Sequence, residues 1–568
     1  MKRSILVYML ALLLPCSTFA HDFIVDGICY NITSETDFTC EVTFNSDEKP
    51  ENVYVKFYKG IVNVPEKVSY NGKEYTVTAI GEKAFRHNDE LQSVVMPSTI
   101  VSIGHDAFAC CPNFKSLTIP ENVKEFSNFS FHAMPSLEYL AVDEKNEYFD
   151  SRGGCNAIIK TKTNTLYVGC RSTVIPEDIK AIANGAFVSG SGIPGHVTPF
   201  EITIPKSVET LESQAFAGCT SLKAITLSEG VKSIGGSAFN GTSIERIVIP
   251  ASVTEISEGA FRGCNLLKEI KVKKGNKVYD SRKGCNAIIE SETDKLIVGC
   301  AKTYIPKGVK SISYYAYAGC LIENVDIPSS VELIEEYAFA NCRNLKYIVI
   351  PGNVKEIESS AFWASGIESV TVEEGVEKIG IEAFSHCREL KQATLPASLK
   401  EIGESGYGGI FSGCRKLEKV RLDNDNYTYY CNGSVLIEKK SRTVIDGWGI
   451  DHCYTGNGYV SLKAKRIGRN AFRGHELLAS VALPETLEEI EAYAFEDCKA
   501  LRVIECNAVV PPTVGKDAFK LNLPRNGYVL PLQERTVLVV PKGSLEAYRN
   551  APGWKEFKHI KEKVTLEN

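Results

Sequence analysis

The chain has 568 residues, with 64 basic and 70 acidic side chains and a formal net charge of -6. That balance leaves no basic footprint for nucleic acid and no polybasic patch for an anionic membrane. A single compact core stops growing at about 250–300 residues, so a chain this long either divides into domains or extends along one axis.

The N-terminus reads as a secretory signal. Lys2 and Arg3 precede an apolar run from Ile5 to Leu14, too short for a bilayer span of about 20 residues. Thr18-Phe19-Ala20 fits the small-x-small cleavage rule, so residues 1–20 are expected to be removed, leaving His21 first. The competing reading is a lipoprotein signal acylated at Cys16, against which Pro15 stands where a small residue is expected. Either route exports the protein, to the cell surface, the periplasm or the medium. No later apolar run is long enough to span a membrane. Residues 21–78 are strand-rich, with Phe23-Ile-Val, Cys29-Tyr-Asn-Ile, Thr39-Cys-Glu-Val-Thr-Phe, Val53-Tyr-Val-Lys-Phe and Tyr75-Thr-Val, and are expected to form an N-terminal β cap.

From residue 79 to residue 523 a phrase close to Ile-Gly-x-x-Ala-Phe-x-x-Cys recurs, mostly every 22 to 24 residues. Its aromatic position falls at residues such as Phe85, Phe108, Phe216, Tyr317, Phe339, Phe362, Phe472 and Phe519. A fixed period in that range means a solenoid, in which each unit buries its apolar face only against its neighbours. In the unit Leu345 to Phe362, the alternation from Lys346 to Ile350 predicts a short strand with Ile348 and Ile350 inward and Tyr347 and Val349 outward. Pro351 ends it, Val354 and Ile357 turn back into the core, and Ala361-Phe362 opens a tight turn.

Three longer steps carry insertions, near residues 150–172, 280–302 and 429–453. The first two are close copies, Asp150-Ser-Arg-Gly-Gly-Cys155 through Cys170 and Asp280-Ser-Arg-Lys-Gly-Cys285 through Cys300, each with two apolar runs around a polar centre, which predicts a β-hairpin. The third keeps the hairpin pattern without those cysteines. Residues 524–568 hold Val537-Leu-Val-Val-Pro541 and then Leu545-Glu-Ala-Tyr548 and Trp554-Lys-Glu-Phe557, expected to be a last strand and a short amphipathic helix closing the open end.

The ladder Ile-Pro-x-x-Val-x-x-Ile-x-x-x-Ala-Phe-x-x-Cys-x-x-Leu, as in Ile249-Pro250 through Cys264 and Ile327-Pro328 through Cys342, resembles the BspA-like (Treponema pallidum type) leucine-rich repeat family of bacterial surface proteins. Ser130-Phe131, Ala316-Tyr317 and Ile410-Phe411 depart from it at single units. The resemblance implies an α/β leucine-rich repeat solenoid with a single parallel sheet, here carrying hairpin insertions between an N-terminal and a C-terminal cap. It also implies adhesion to host or bacterial surface macromolecules, and the same closing segment.

The cysteines fall into two groups. Cys111, Cys219, Cys264, Cys320, Cys342, Cys387, Cys414 and Cys498 sit three residues after the repeat aromatic. One per turn gives a line rather than the tetrahedron zinc requires, so they are expected to be a reduced, buried core ladder. Cys155 with Cys170, Cys285 with Cys300 and Cys29 with Cys40 are each symmetric about a turn. Directly opposed strand residues lie within disulfide range, so these six are expected to pair in an exported chain. Alignment places Gly433 and Trp448 at the equivalent positions of the third hairpin, a joint loss that suits a bonded pair, and Cys431 with Cys453 is a weaker candidate.

No catalytic pattern rises above background. There is no His-Glu-x-x-His, no Gly-x-Ser-x-Gly and no phosphate-binding glycine loop. Glu255, Glu335 and Glu356 read as solvated turn residues, and Asp423-Asn-Asp425-Asn426 reads as a turn before the hairpin rather than a calcium loop, since it lacks the later Gly and Glu. Neither a catalytic residue, a cofactor nor a metal is therefore expected. What remains is the outward strand face, expected to be an extended concave docking surface. Tyr, Trp and Arg favour binding hot spots, and Arg246, Lys271, Tyr347 and Arg421 are the candidate residues. The expected function is a non-enzymatic, exported scaffold or adhesin whose partner is a protein or glycan on host or bacterial surfaces. The alternative is an envelope protein that captures or processes carbohydrate, favoured if aromatics cluster on one face.

Overall fold

The computed structural model describes residues 21–45, 57–188, 200–403, 409–432, 435–448, 458–459, 463–475, 478–522 and 531–563. The signal segment with Cys16, most of the expected strand at Val53–Phe57, and Gly433 and Cys453 lie outside them. The chain divides into two compact units, residues 1–242 and 243–568.

In the first unit, Phe23–Val25, Ile28–Ser34 and Thr39–Thr43 form an antiparallel meander. Thr39–Thr43 then pairs in parallel with Lys73–Ile80, whose far end continues into the two-residue strands Ser102–Ile103 and Glu125–Phe126. A second line of strands, Gly60–Asn63, Leu91–Val95, Ser116–Ile119 and Tyr139–Val142, is also parallel. Most rungs thus contribute twice, a strand of four to six residues and, after the turn, a two-residue strand such as Ser102–Ile103. The repeat predicts one parallel sheet; the parallel stacking is present, and the short ladder accompanies it. The phrase Val-x-x-Ile supplies that ladder, because the residue before the buried Ile is held in register with the rung above.

The second unit repeats this plan. Its longest run of repeat strands is Tyr347–Ile350, Ser369–Val372, Gln392–Leu395 and Lys419–Leu422, all parallel. Arg246–Ile249 pairs only with Glu269–Val272, in a separate two-stranded sheet. The repeat pattern puts a strand of the same parallel sheet at residues 325–327, between these two runs, but they form no strand. Their outward positions are Asn324 and Asp326, residue types depleted from strands, whereas Ile327 still turns into the core.

Between rungs the repeat aromatics lie on one another. Phe339 is fully buried with its ring centroid 4.9 Å from Tyr317 and 5.1 Å from Phe362, stacked nearly parallel to both. All three insertions are hairpins, and each joins the short ladder rather than the long strands. Gly169, Gly299 and Gly447 end their hairpins for a shared reason. A Cβ built on them would lie 2.4, 2.2 and 2.1 Å from the rings of Phe187, Tyr317 and Phe472, so the next repeat aromatic packs flat on bare backbone. The C-terminal end carries the expected strand Val537–Val540 and helix Leu545–Asn550, and a further strand, His559–Glu562. Tyr548, Trp554 and Phe557 are buried there, with the Trp554 indole N–H donating to the Pro512 carbonyl at 2.7 Å. Among the described residues no helix is long and apolar enough to cross a membrane.

Candidate functional site

Strand alternation sends Ile348, Val370, Ala393 and Val420 inward and leaves two outward rows in register on the four-stranded sheet. One row is Tyr347, Ser369, Gln392 and Lys419; the other is Val349, Thr371, Thr394 and Arg421. Tyr347 is 62% exposed and Val349 52%. Among the described residues neither Lys419 nor Arg421 has an ion-pair partner. The face therefore runs from an apolar end to an unneutralised cationic end. Arg246 and Lys271 lie on the separate pair of strands, where Arg246 stands beside Glu269 and Lys271 is ion-paired to that same carboxylate. The structure brings Tyr347 and Arg421 onto one sheet and leaves Arg246 and Lys271 on another.

The first unit carries an outward strand face of its own. Ile61, Val95 and Tyr139 are exposed on its parallel strands, and the other outward positions are Asn63, Ser93, Ser116, Thr118 and Ala141, none of them charged. The signal was present in the alternation, but the irregular pairing at Gly60–Ile61 hid the first strand.

The six hairpin and cap cysteines are unbonded in this structure, so the expected pairing is not shown. Register explains why. Cys29 lies opposite Thr43 and Cys40 opposite Ile32, so symmetry about the turn does not oppose them. In the first insertion Lys160 does face Thr165, as expected, but a bulge between Ile158 and Ile159 moves the count by one. Cys170 then falls beside Asn156, whose carbonyl its Sγ approaches to 3.4 Å, while the Cys155 thiol points to the Ala157 carbonyl at 3.8 Å. The bulge between Ile288 and Ile289 does the same for Cys285 and Cys300.

The core ladder of thiols is buried and has a specific partner. Cys111, Cys342, Cys387, Cys414 and Cys498 donate to the carbonyls of Phe85, Tyr317, Phe362, Phe384 and Phe472, the repeat aromatic one rung back, at 2.9 to 3.2 Å. Burial pushes the Cys111 thiol up to about 12 and Cys498 higher still, so the Cys111 and Cys498 sulfurs stay protonated donors.

Asn426, the last residue of the calcium-like stretch, is buried and fully engaged as a clamp. Its amide nitrogen donates to the carbonyls of Pro396 and Leu399 at 3.2 and 2.9 Å, and its oxygen accepts from the amides of Thr428 and Tyr429 at 2.9 and 2.7 Å. Asn146 and Asn276 make the same contacts before the other two hairpins. Arg282 ties its hairpin by donating to Asp280 at 2.8 and 2.7 Å and to Asp294 at 2.6 Å, and Arg152 does likewise with Asp150 and Asn164. Glu335 is not the solvated turn residue expected. It accepts from the Tyr314 amide at 3.1 Å and pairs with Lys295 at 2.9 Å, because the rung above lays its backbone over the carboxylate.

Two titratable groups sit at the third hairpin and on the rung after it. Asp446 stands where the other hairpins have Val168 and Val298, and accepts from the Phe411 amide at 2.8 Å, the role a backbone carbonyl plays at other rungs. Burial raises its carboxyl to about 7, opposed by the amides of Phe411, Gly447 and Ile410. His475, half-buried on the following rung against the Gly447 backbone, is pushed down to about 4 by the same loss of water.

The sequence model described as "BspA type Leucine rich repeat region (6 copies)" matches residues 69–191, 198–291, 302–433 and 453–524, more than half of the chain. No curated protein matches significantly. Among solved structures, a leucine rich cell surface protein of Faecalibacterium prausnitzii A2-165 is 24% identical over 71% of this chain and 94% of its own, with a TM-score of 0.43. A leucine-rich repeat protein of Bacteroides ovatus ATCC 8483 is 23% identical over 96% and 100%, at 0.27. The leucine rich repeat protein of T. pallidum is 16% identical over 65% and 90%, at 0.16.

Proposed function

The chain belongs to the BspA-type leucine-rich repeat family, and from that premise we propose that it is an exported, non-enzymatic binding scaffold that engages a protein on a host or bacterial surface through its outward strand face. The observation that carries this reading is the pair of register rows from Tyr347 and Val349 to Lys419 and Arg421. An exposed aromatic and an arginine without an ion-pair partner are side chains that interfaces concentrate. Ser369, Thr371, Gln392 and Thr394 between them are uncharged and cost little to desolvate relative to charged groups. This face carries one exposed aromatic rather than a cluster, which favours a protein over a glycan as its partner. The expected signal segment and the expected route to the surface accord with that role. Purified residues 21–568 should be screened against a panel of extracellular-matrix and bacterial surface proteins and against a glycan array. Saturable binding to a protein is the expected result; binding confined to glycans would replace this reading with carbohydrate capture.

A further inference from the structure

Two positions before the repeat aromatic the backbone is left-handed, and most rungs meet it with a small or flexible polar residue: Asp106 (φ 58°), Ser237 (56°), Gly259 (68°), Ser360 (56°) and Asn470 (60°). Tyr315 and Tyr337 occupy it on adjacent rungs of the second unit, at φ 57° and 55°. Bulky residues seldom adopt that conformation, and such strain is retained where the side chain has another use. Tyr493 fills it once more, at φ 60° with the Arg469 guanidinium 5.3 Å from its ring, but the remaining rungs fold without a tyrosine there, so the repeat does not demand one.

The two rings stack on the turn edge, centroids 5.0 Å apart and 17° from parallel, with Tyr314 4.1 Å from Tyr315 and edge-on to Tyr337. All three are half-buried, leaving part of each ring in solvent. One cation already uses the stack, since the Arg262 guanidinium lies over the Tyr315 ring at 4.1 Å. The surrounding charge is negative. Lys295 takes up Glu258 and Glu335, whereas Glu336 and Glu358 have no cationic partner among the described residues. Burial raises the Glu358 carboxyl, and Glu335, Glu356 and Glu336 raise it further, the mark of negative charge left unbalanced.

We propose that Tyr314, Tyr315 and Tyr337, with Glu336 and Glu358 beside them, form a docking patch for a lysine- or arginine-bearing segment of a protein partner. A cationic side chain would meet ring surface and unpaired carboxylate together, a combination that neither a neutral sugar nor an acidic peptide requires. The patch lies on the turn edge and is independent of the strand face.

The test uses full-length mature protein and fluorescein-labelled hexa-arginine and hexa-lysine peptides, with a Gly-Ser hexapeptide and cellohexaose as comparators. Tyr337→Ser, which installs the residue of the next rung and leaves net charge unchanged, should weaken hexa-arginine binding by about tenfold. Its melting temperature should hold, because Ser360 already fills the same left-handed position one rung on. Glu336→Gln should weaken binding similarly, and Tyr347→Ala on the strand face should not alter it. Unchanged peptide affinity in Tyr337→Ser would overturn the proposal. So would a lowered melting temperature, which would assign the tyrosine to the fold, or binding of cellohexaose but not the peptides at this patch.

Discussion

At the scale of single residues, the thiol ladder explains a pattern that composition alone leaves bland. Each Cys is small enough for the interior and brings a second donor to a carbonyl that its own turn already bonds once, as the His475 amide does to Phe472 at 3.3 Å. Cys498→Ala should therefore cost about 0.5–1.5 kcal/mol, the net worth of one hydrogen bond, and chemical denaturation of the full chain would read it. Cys498→Ser, which can still donate to the Phe472 carbonyl now reached at 3.1 Å, should recover part of the loss. If alanine and serine behave alike, the hydrogen bond contributes nothing. Burial of the cysteines was legible in the sequence; their partners were not, because a carbonyl one rung back lies 25 to 30 residues away in the chain. The same holds for Asn146, Asn276 and Asn426, whose clamping role needs the preceding turn brought against them. Phe339→Ala removes a ring held between two others and should cost about 3–5 kcal/mol where the rungs cannot collapse; unfolding indistinguishable from the parent chain would contradict the stacking.

At the scale of elements, the hairpins were legible in place but not in register. Paired apolar runs around Thr161–Asn164 and Ser291–Asp294 locate the turns, and the inner pairs Lys160–Thr165 and Glu290–Lys295 face each other as expected. A single-residue bulge beyond them has no sequence signature, and it separates the cysteines. The glycine before each outer position was equally silent until the following aromatic was seen to lie on it. Gly299→Ala should cost about 1–3 kcal/mol by driving a methyl into the Tyr317 ring, read as a fall in melting temperature. The third hairpin adds a pH signature. Between about pH 4 and 7 the folded chain holds a proton on Asp446 that the unfolded chain, with the ordinary carboxyl value of 3.8, has released, so Asp446 makes stability fall as pH rises. His475 does the reverse: below its ordinary 6.5 the unfolded imidazole is protonated while the folded one, at about 4, is not, so stability rises with pH across that window. The two effects offset one another between pH 4 and 6.5. Asp446→Asn should expose the histidine alone, giving a stability that climbs by about 3 kcal/mol over that range; a flat melting profile in the variant would show that His475 is not held neutral.

At the scale of the whole molecule, the 22- to 24-residue period was enough to define a parallel-stranded solenoid with caps, since a regular apolar repeat has few other ways to bury itself. The second ladder escaped notice because two-residue strands such as Glu356–Ile357 show no alternation. The outward strand positions could be counted from Tyr347 to Arg421, but which of them share a sheet could not, because that depends on where Asn324 and Asp326 break the pairing. The tyrosine stack at residues 314, 315 and 337 was invisible for a related reason: the repeat fixes which side chain is buried, not which half-buried ones meet. The central claim is that function resides in the outward strand face. It is tested most directly by titrating the full mature chain and its Tyr347→Ala/Arg421→Ala variant against the protein partner found in the binding screen, by surface plasmon resonance, alongside thermal unfolding of both. The account predicts an affinity at least about tenfold weaker with an unchanged melting temperature, and a variant that binds as tightly as the parent would contradict it.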